Sequence, residues 1–501
     1  MTSVSNVFSV SEVAKTYNFN YPKSEHIQRL QNYDIYHNLF RGNHEYVFIN
    51  SGRFKYTYDN NREYFCMNLC GAYVRLVVSR LFGEEIYLHV EDKSTLNFLN
   101  YVMADTGLQK KNICAARGCS YRGDAVYKIR YDGLERKIKV DIINPDICYP
   151  ETDPLDSTKI VKITICNLLV KQNDKKKEYY LWEEIHEMRG STSWILNKLY
   201  RAEKSKNNDT YLVDYENELP LDIIPETAGL VPEVNTGVSD LLVIWVANDA
   251  DDSGSIYGIS DYEDLIHIQG ELNNRYIQRA EILDKHTDPF LTGPEDLMDD
   301  FGNVDIGRNN KFIPLRDGEN PDVVRYITWD PKLDSVEKEI DELIRNFASV
   351  AMIDHHVLVD IASGGNPPSG RALKLAQSRT QTRVKSKQLT FGDALRKLFS
   401  RITRLAQLVS LDWSGIIVPL NENEISIGFS DGLPDDSMQN IEEQVAMVEG
   451  GVQSKVRAIA KLHKISIDEA QVILSEIEEE QKIGAMELPS FEQIPLDLGN
   501  E

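Results

Sequence analysis

The sequence lacks any apolar run long enough to cross a membrane, and it is short of basic residues. No window approaches the ~18 uninterrupted apolar residues of a membrane-spanning helix. The first residues also lack the basic segment and apolar core of a signal peptide. We therefore expect a soluble protein without a membrane partner, which works where it is made.

The deficit of basic residues bears on nucleic-acid binding. Lys and Arg number 55 against 79 Asp and Glu, which gives a formal charge of −24. A groove that grips nucleic acid usually has the opposite sign, because phosphate neutralisation needs Lys and Arg. The charge is interpreted either as a source of solubility or as a surface that must not adhere to a nearby polyanion.

Cysteine is scarce, with six residues in 501, all in the first third of the chain. The spacings C-x3-C (Cys66 and Cys70) and C-x4-C (Cys114 and Cys119) differ from the paired CxxC of zinc ribbons, and no histidine cluster lies nearby. Cys66 and Cys70 are expected on one helix. We interpret the six as buried free thiols in a reducing compartment.

Signatures of catalysis are also missing. The chain has no phosphate-binding P-loop, no hydrolase nucleophile elbow and no HExxH zinc motif. The acids at Asp249, Asp251 and Asp252 are more typical of a solvated loop than of a metal site in so acidic a chain. Adjacent side chains such as His355 and His356 point in different directions and make a poor metal clamp. We predict no catalytic residue, no cofactor and no metal site.

The hydrophobic pattern changes period along the chain and predicts an α+β fold. Helical periodicity covers residues 22–48, 62–82 and 93–118. Strict alternation begins near Ala125, and Asp132-Gly133 predicts a tight hairpin turn. Further strands are predicted, as a β meander, over residues 158–170, 177–187, 192–201 and 210–215.

Two long amphipathic helices are predicted in the middle of the chain, over residues 262–283 and 333–350. The segment between them is rich in Pro, Gly and Asp and contains short strands, so the simplest geometry is two helices that carry a small α/β tip. Ordinary core-facing helices would show the same apolar stripes. The Gly, Pro and Ser residues that end segment 354–370 predict a loop.

Residues 371–408 predict one long or kinked helix, the only strongly basic stretch of the chain, with Asp393 as its only acid. Its cations lie on all sides, which favours pairing with acidic neighbours over a DNA-binding face. Short strands are predicted over residues 416–419 and 424–429. Helices are predicted over residues 435–449, 452–463 and 466–483.

Five short segments, in chain order, resemble motifs of the portal proteins of tailed bacteriophages, of the siphophage type. They are YHNLFRGNH (residues 36–44), NLCGAYV followed by LFGEE (68–74 and 81–85), GDAVY (123–127), GISD (258–261) and SGRALK (369–374). The match extends over nearly the whole chain.

The resemblance implies a portal fold with a wing of helices and β meander, a two-helix stem, a small α/β clip, a tunnel loop and a helical crown. The implied divisions are wing 1–260 and 370–434, stem helices 261–285 and 332–353, clip 286–331, tunnel loop 354–369, crown 435–485 and tail 486–501. The implied DNA-facing residues of the tunnel loop are His355, His356, Val357, Leu358, Ile361, Asn366 and Pro367.

The resemblance also implies partners and a location. Portal subunits form a ring, usually a dodecamer, at one vertex of the virion capsid, after assembly in the host cytoplasm. Double-stranded DNA passes through the ring during packaging and ejection. The implied protein partners are the terminase large subunit, the head-tail adaptor, and the major capsid and scaffold proteins.

The acidic charge agrees with such a channel. Each Lys–phosphate contact would release counterions and add affinity, which would hinder moving DNA, whereas an acidic wall keeps it mobile. Screening over about 8 Å at physiological salt limits this effect to narrow parts of a channel. Two alternatives are a metal-dependent nucleic-acid enzyme and a capsid structural protein without a channel.

Overall fold

The structure, a computed structural model, describes most of the chain. The ranges described are 20–50, 66–173, 176–205, 210–249, 254–287, 290–294, 312–315, 325–327, 333–358, 377–409, 411, 413–430, 437–463 and 467–486. The chain divides into two compact units, one formed by residues 1–364 and 376–432 and the other by residues 365–375 and 433–501. The described parts mix helix and sheet, which confirms the predicted α+β class.

Four α-helices precede the meander among the described residues of the first unit. They are α1 (Ile27–Arg41), α2 (Leu69–Phe82), α3 (Lys93–Thr106) and α4 (Leu108–Arg122), and the short strand β1 (Tyr87–His89) lies between α2 and α3. The predicted single helix over residues 93–118 is wrong, because Gly107 adopts a left-handed conformation (φ 61°) that ends α3. Helix α2 begins later than predicted because the side chain of Asn68 caps it, accepting from Gly71 N at 2.7 Å.

The meander is longer than predicted. Its strands are β2 (Asp124–Asp132), β3 (Lys137–Ile143), β4 (Cys148–Asp153), β5 (Asp156–Asn173), β6 (Lys176–Arg189), β7 (Thr192–Lys204), β8 (Tyr211–Leu219), β9 (Glu233–Asn235) and β10 (Val243–Ala247). Strands β4 to β8 pair in sequence order with β9 on β7, and β2 lies between β10 and β3 in a second antiparallel sheet. The predicted hairpin at Asp132-Gly133 is thereby confirmed.

The side chains of successive residues in the large sheet point to opposite faces, as strand geometry requires. Leu181 and Tyr200 join one buried cluster, whereas their chain neighbours Tyr180 and Leu199 join another on the other face. The strong alternation in the sequence reflects these two apolar clusters.

The predicted helix pair is present with shifted limits. The first helix, α5 (Ile266–Thr287), begins after a turn at Tyr262–Leu265 rather than at residue 262, and α6 spans Leu333–Val350 as predicted. Between them the described strands β11 (Phe290–Pro294), β12 (Phe312–Leu315) and β13 (Arg325–Ile327) form a small sheet, parallel for β11–β12 and antiparallel for β11–β13.

A short helix, α7 (His355–Leu358), and the long helix α8 (Ser378–Leu408) follow. The predicted tunnel-loop segment therefore opens with a helical turn, and its residues beyond Leu358 lie outside the described ranges. Strand β14 (Ser426–Gly428) pairs with β1, but residues 416–419 form no strand, which corrects that prediction. The second unit contains α9 (Ser437–Glu449), α10 (Lys455–His463) and α11 (Ile467–Met486), close to the predicted helices.

One core unites the helices of the first unit with the sheet of β2, β3 and β10. Its largest fully buried side chains include Tyr73, Tyr127, Tyr262, Phe347 and Phe391. These residues come from α2, β2, the turn before α5, α6 and α8, so the two middle helices are anchored in the core of the first unit at one end.

Candidate functional site

Two of the segments that carry the family resemblance, GDAVY and GISD, are in close backbone contact just before helix α5. A Cβ atom added to Gly123 would lie 2.2 Å from the carbonyl oxygen of Gly258, and one added to Gly258 would lie 2.3 Å from Gly123 O. Gly123 also has φ +102°, which L side chains rarely adopt. Both positions therefore require glycine, and the GDAVY and GISD segments form one junction.

Asp261 lies at the centre of this junction and is fully paired. Its carboxylate accepts hydrogen bonds from Ser120 Oγ at 2.6 Å and Asn248 Nδ2 at 2.7 Å. It also accepts from Arg383 Nη2 at 2.6 Å and Lys387 Nζ at 2.7 Å, both on α8. The side chains of Asp261 and Lys387 are 1% and 3% exposed. Burial acts to raise the pKa of Asp261, but these partners, led by Lys387, lower it overall.

Asp124 lies on the other side of the same junction and has no such cation. Its carboxylate accepts from Trp245 Nε1 and Gly258 N, each at 2.9 Å, and from the hydroxyl of Tyr33. No Lys or Arg nitrogen of the described residues lies within 4 Å of it. Burial raises the pKa of Asp124 to about 7, despite the opposing effect of these donors.

Helix α5 is joined to two further resembling segments by buried amides. The Gln269 side-chain oxygen accepts from the backbone nitrogens of Leu69 (3.0 Å) and Cys70 (3.2 Å), the orphan donors at the start of α2. Asn273, one turn further along, contacts His44 Nδ1 at 2.9 Å. Four of the five resembling segments thus meet around the beginning of α5, and the fifth, residues 369–374, lies outside the described ranges.

Helices α5 and α6 pack against each other, and an ion pair joins Arg275 Nε to Glu339 at 2.7 Å. Helix α6 buries a stripe that contains Ile340, Ile344 and Phe347. Its opposite face is exposed and mainly acidic, with Lys338 and Arg345 as the cations. The exposed acids of this face, which we call the α6 acidic face, are Asp334, Glu337, Asp341 and Glu342.

Hydrogen bonds tie the end of this helix pair to the start of α8. The backbone N–H of Asp354 donates to Thr380 Oγ1 at 3.0 Å, and Thr380 N donates to Asp354 Oδ2 at 3.2 Å. These contacts join Asp354, the first residue of the predicted tunnel loop, to the first turn of α8.

Of the seven predicted DNA-facing residues of the tunnel loop, the structure describes four, at positions 355–358. His355 and Leu358 are half-buried, and Leu358 packs against the core of the first unit. The backbone of His356 and Val357 belongs to α7. Ile361, Asn366 and Pro367 lie outside the described residues, so their contact with DNA stays a prediction.

Several cations of the basic helix α8 pair with acidic side chains, as their distribution around the helix predicted. Besides Arg383 and Lys387, Arg396 pairs with Asp393, and Arg404 pairs with Asp240 at 2.5 Å. Asp249, predicted as a solvated loop acid, is half-exposed and also pairs with Arg383 at 3.0 Å, whereas Asp251 and Asp252 lie outside the described residues.

The cysteines form no disulfide, as predicted, but Cys114 is exposed and Cys66 precedes α2 instead of sharing a helix with Cys70. Among the described residues no group of three or more His, Cys, Asp or Glu side chains is arranged to hold a metal ion. No helix in the described ranges is both long and apolar enough to span a membrane.

Reasoning from sequence missed the roles of Asp124 and Asp261. Both lie in segments that resemble portal motifs: Asp124 directly follows Gly123, and Asp261 comes three residues after Gly258. Their position in these segments was therefore a signal that they have a role. The ionic partners of Asp261 on α8, however, lie more than a hundred residues away, and nothing local indicated the pairing.

The family model described as "Phage portal protein, SPP1 Gp6-like" matches residues 20–482. The chain therefore belongs to this family of phage portal proteins, as its resembling segments predicted. None of the curated proteins matches the sequence. Family membership places the protein at the portal vertex of a bacteriophage capsid, with a role in DNA packaging and with other subunits of a ring, the capsid and DNA as partners.

Proposed function

We propose that the chain forms a ring, a dodecamer, whose central channel conducts double-stranded DNA into and out of the capsid. The observation that carries this proposal is the anchored helix pair. Helices α5 and α6 pack together, are fixed at one end in a large core, and turn an acidic face of α6 to solvent. Repeated around a ring, such a face would surround DNA with like charge.

The divisions of the portal fold map onto the described elements as follows. The wing comprises residues 1–260 and 370–434, and the stem consists of α5 and α6. The small sheet of β11, β12 and β13 belongs to the clip, residues 286–331. The second unit, with α9 to α11, supplies the crown, residues 435–485.

The clip docks the terminase large subunit during packaging and the head-tail adaptor afterwards. The major capsid and scaffold proteins contact the ring during assembly in the host cytoplasm. Residues 354–369 form the tunnel loop, and the contacts between Asp354 and Thr380 fix its first residue to α8 while DNA moves past. The channel works without catalysis by this chain, because packaging energy comes from the docked terminase.

Electron microscopy of the purified protein, with mass measurement of the same sample, tests the ring. Rings with a central hole and a mass near that of twelve subunits support the proposal. Discs without a hole would favour the structural capsid protein. A compact monomer that cuts DNA with Mg²⁺ would favour the nucleic-acid enzyme.

A packaging assay tests the acidic channel wall. We expect the substitutions Glu337→Gln, Asp341→Asn and Glu342→Gln together to slow DNA translocation, because neutral side chains repel phosphate less. The matched control neutralises three exposed acids on β8, Asp214→Asn, Glu216→Gln and Glu218→Gln, with the same change in charge. Packaging at the wild-type rate in rings of the α6 variant would contradict the proposed lumen position of this face.

A further inference from the structure

Three arginines contact a pair of stacked aromatic rings on the helical side of the first unit, and a fourth follows one of the rings in sequence. Phe40 of α1 and Tyr121 of α4 stack with centroids 4.9 Å apart and planes 10° apart. The guanidinium carbons of Arg75 and Arg117 lie 5.4 and 5.9 Å from the Phe40 ring, and that of Arg122 lies 4.7 Å from the Tyr121 ring. Arg41, which follows Phe40 at the end of α1, is exposed.

These arginines are unevenly neutralised. Arg122 lies 3.2 Å from Asp146. Arg41, Arg75 and Arg117, which we call the arginine patch, have no carboxylate within 4 Å among the described residues. The Nε atom of Arg117 is buried and has no hydrogen-bond partner in that part of the chain.

The charge of Arg41 acts on a neighbouring side chain of α1. Burial lowers the pKa of His37, one helical turn before Arg41, and the charges of Arg122 and Arg41 lower it further. Gathering like charges is unfavourable unless something outside the chain compensates them. In a chain with a formal charge of −24, this grouping calls for an anionic partner.

Arginine on an aromatic surface is well prepared to bind carboxylates. The guanidinium is planar, stays charged, and presents a rigid fork of donors that matches a carboxylate. Stacking on a ring restricts the side chain before binding, so less conformational entropy is lost on contact. Arg75 and Arg117 meet this description.

Two anions are available to a portal ring: carboxylates of another copy of this chain and phosphates of DNA. A ring repeats one heterologous contact, and copies charged at −24 repel each other unless cations lie in the contact. Three unpaired arginines per subunit along the DNA path would add phosphate affinity and hinder translocation. The carboxylate partner therefore fits better.

We propose that the arginine patch (Arg41, Arg75 and Arg117) binds acidic side chains of the adjacent copy and holds neighbouring subunits of the ring together. This inference rests on the proposed ring. The contact is electrostatic, so the ring becomes less stable as salt rises.

The test is the variant Arg41→Glu, Arg75→Glu and Arg117→Glu, studied as full-length protein by native mass spectrometry and electron microscopy. We expect the protein concentration at half-assembly to rise at least about tenfold, because each like-charge contact opposes association. Circular dichroism verifies folding, and the milder Arg75→Gln and Arg117→Gln pair serves if the triple variant does not fold. That pair should weaken the dependence of assembly on salt.

A control variant changes the net charge equally at three exposed arginines outside the patch, Arg136→Glu, Arg201→Glu and Arg457→Glu. Loss of rings in the control as in the patch variant would overturn the inference, since net charge alone would then govern assembly. Wild-type assembly of the patch variant would overturn it too. If that variant forms rings but retains less DNA, phosphate is the partner and the carboxylate proposal is wrong. Failure of the wild-type chain to form rings would instead refute the proposed function.

Discussion

Asp124 and Asp261 lie on two sides of one junction, and their surroundings give them opposite ionisation behaviour. Asp261 faces two cations of α8, and its pKa is lowered. Asp124 receives hydrogen bonds from neutral donors alone, and burial raises its pKa to about 7. Similar burial therefore yields a fixed charge on one side and a titrating group on the other.

The difference shows what each aspartate does for the pair of helices α5 and α6. The charge of Asp261 links the turn before α5 to α8, two elements far apart in the chain. Asp124 gathers Tyr33, Trp245 and the backbone of Gly258, and it can do so while protonated. The first contact depends on charge and the second on shape and hydrogen bonding.

The largest effect is expected for Asp261→Asn. Removing this charge leaves Lys387 buried without its closest carboxylate, so the free energy of unfolding should fall by about 3–5 kcal/mol. Chemical denaturation measures the change. Asp249→Asn is the matched control, because the half-exposed Asp249 pairs with the same Arg383 but should contribute at most about 1 kcal/mol. Equal losses in the two variants would contradict the special role of Asp261.

A double variant distinguishes two sources of lost stability: the loss of the Asp261–Lys387 ion pair itself, and the burial of one charge without its partner. Asp261→Asn combined with Lys387→Met removes the buried cation as well, so no ammonium is left uncompensated. We expect a loss of about 1–3 kcal/mol, smaller than for Asp261→Asn alone. The comparison uses the same denaturation assay, and additive losses would show that the two side chains act independently.

On the Asp124 side, Tyr33→Phe should have a smaller effect. The substitution removes one hydrogen bond to Asp124 and keeps the ring that contacts Arg29, so a loss of about 1 kcal/mol is expected. Tyr257→Phe is the control, because its ring also contacts Arg29 while its hydroxyl has no hydrogen bond within the described part of the chain. A greater loss for Tyr257→Phe would refute this assignment.

The sharpest dependence on pH is expected for Asp124→Asn. In the unfolded chain Asp124 ionises near pH 4, whereas in the folded protein it retains its proton up to about pH 7. Wild-type stability relative to the Asn variant should therefore fall as the pH rises from 4 to 7, and stay level above that. Unfolding at pH 5 and pH 8 tests this.

Asp261 should behave in the opposite sense. Because its folded pKa is lowered, its contribution is present above about pH 4 and is lost as the pH falls further. If the difference in stability between wild type and Asp124→Asn does not change between pH 5 and pH 8, Asp124 is ionised throughout and the contrast with Asp261 disappears.

Much of the fold could be predicted from local pattern. The hairpin after Asp124, the meander and helix α6 follow from side-chain periodicity, because each buries one face or one stripe. The errors occurred where single residues override periodicity. Gly107 divides a predicted helix, and Asn68 delays the start of α2. A left-handed turn or a side-chain cap changes the backbone without changing the hydrophobic pattern.

The sequence by itself determined the secondary structure, the acidic charge and, through its resembling segments, the portal family. Only the tertiary structure decided which charges are compensated. Asp261 meets Lys387, whereas among the described residues no Lys or Arg nitrogen lies within 4 Å of Asp124 and no carboxylate lies within 4 Å of the arginine patch. Ion pairing depends on distances between side chains that are remote in sequence, and Coulomb energy depends on burial as well as distance, so neither can be read from residue order.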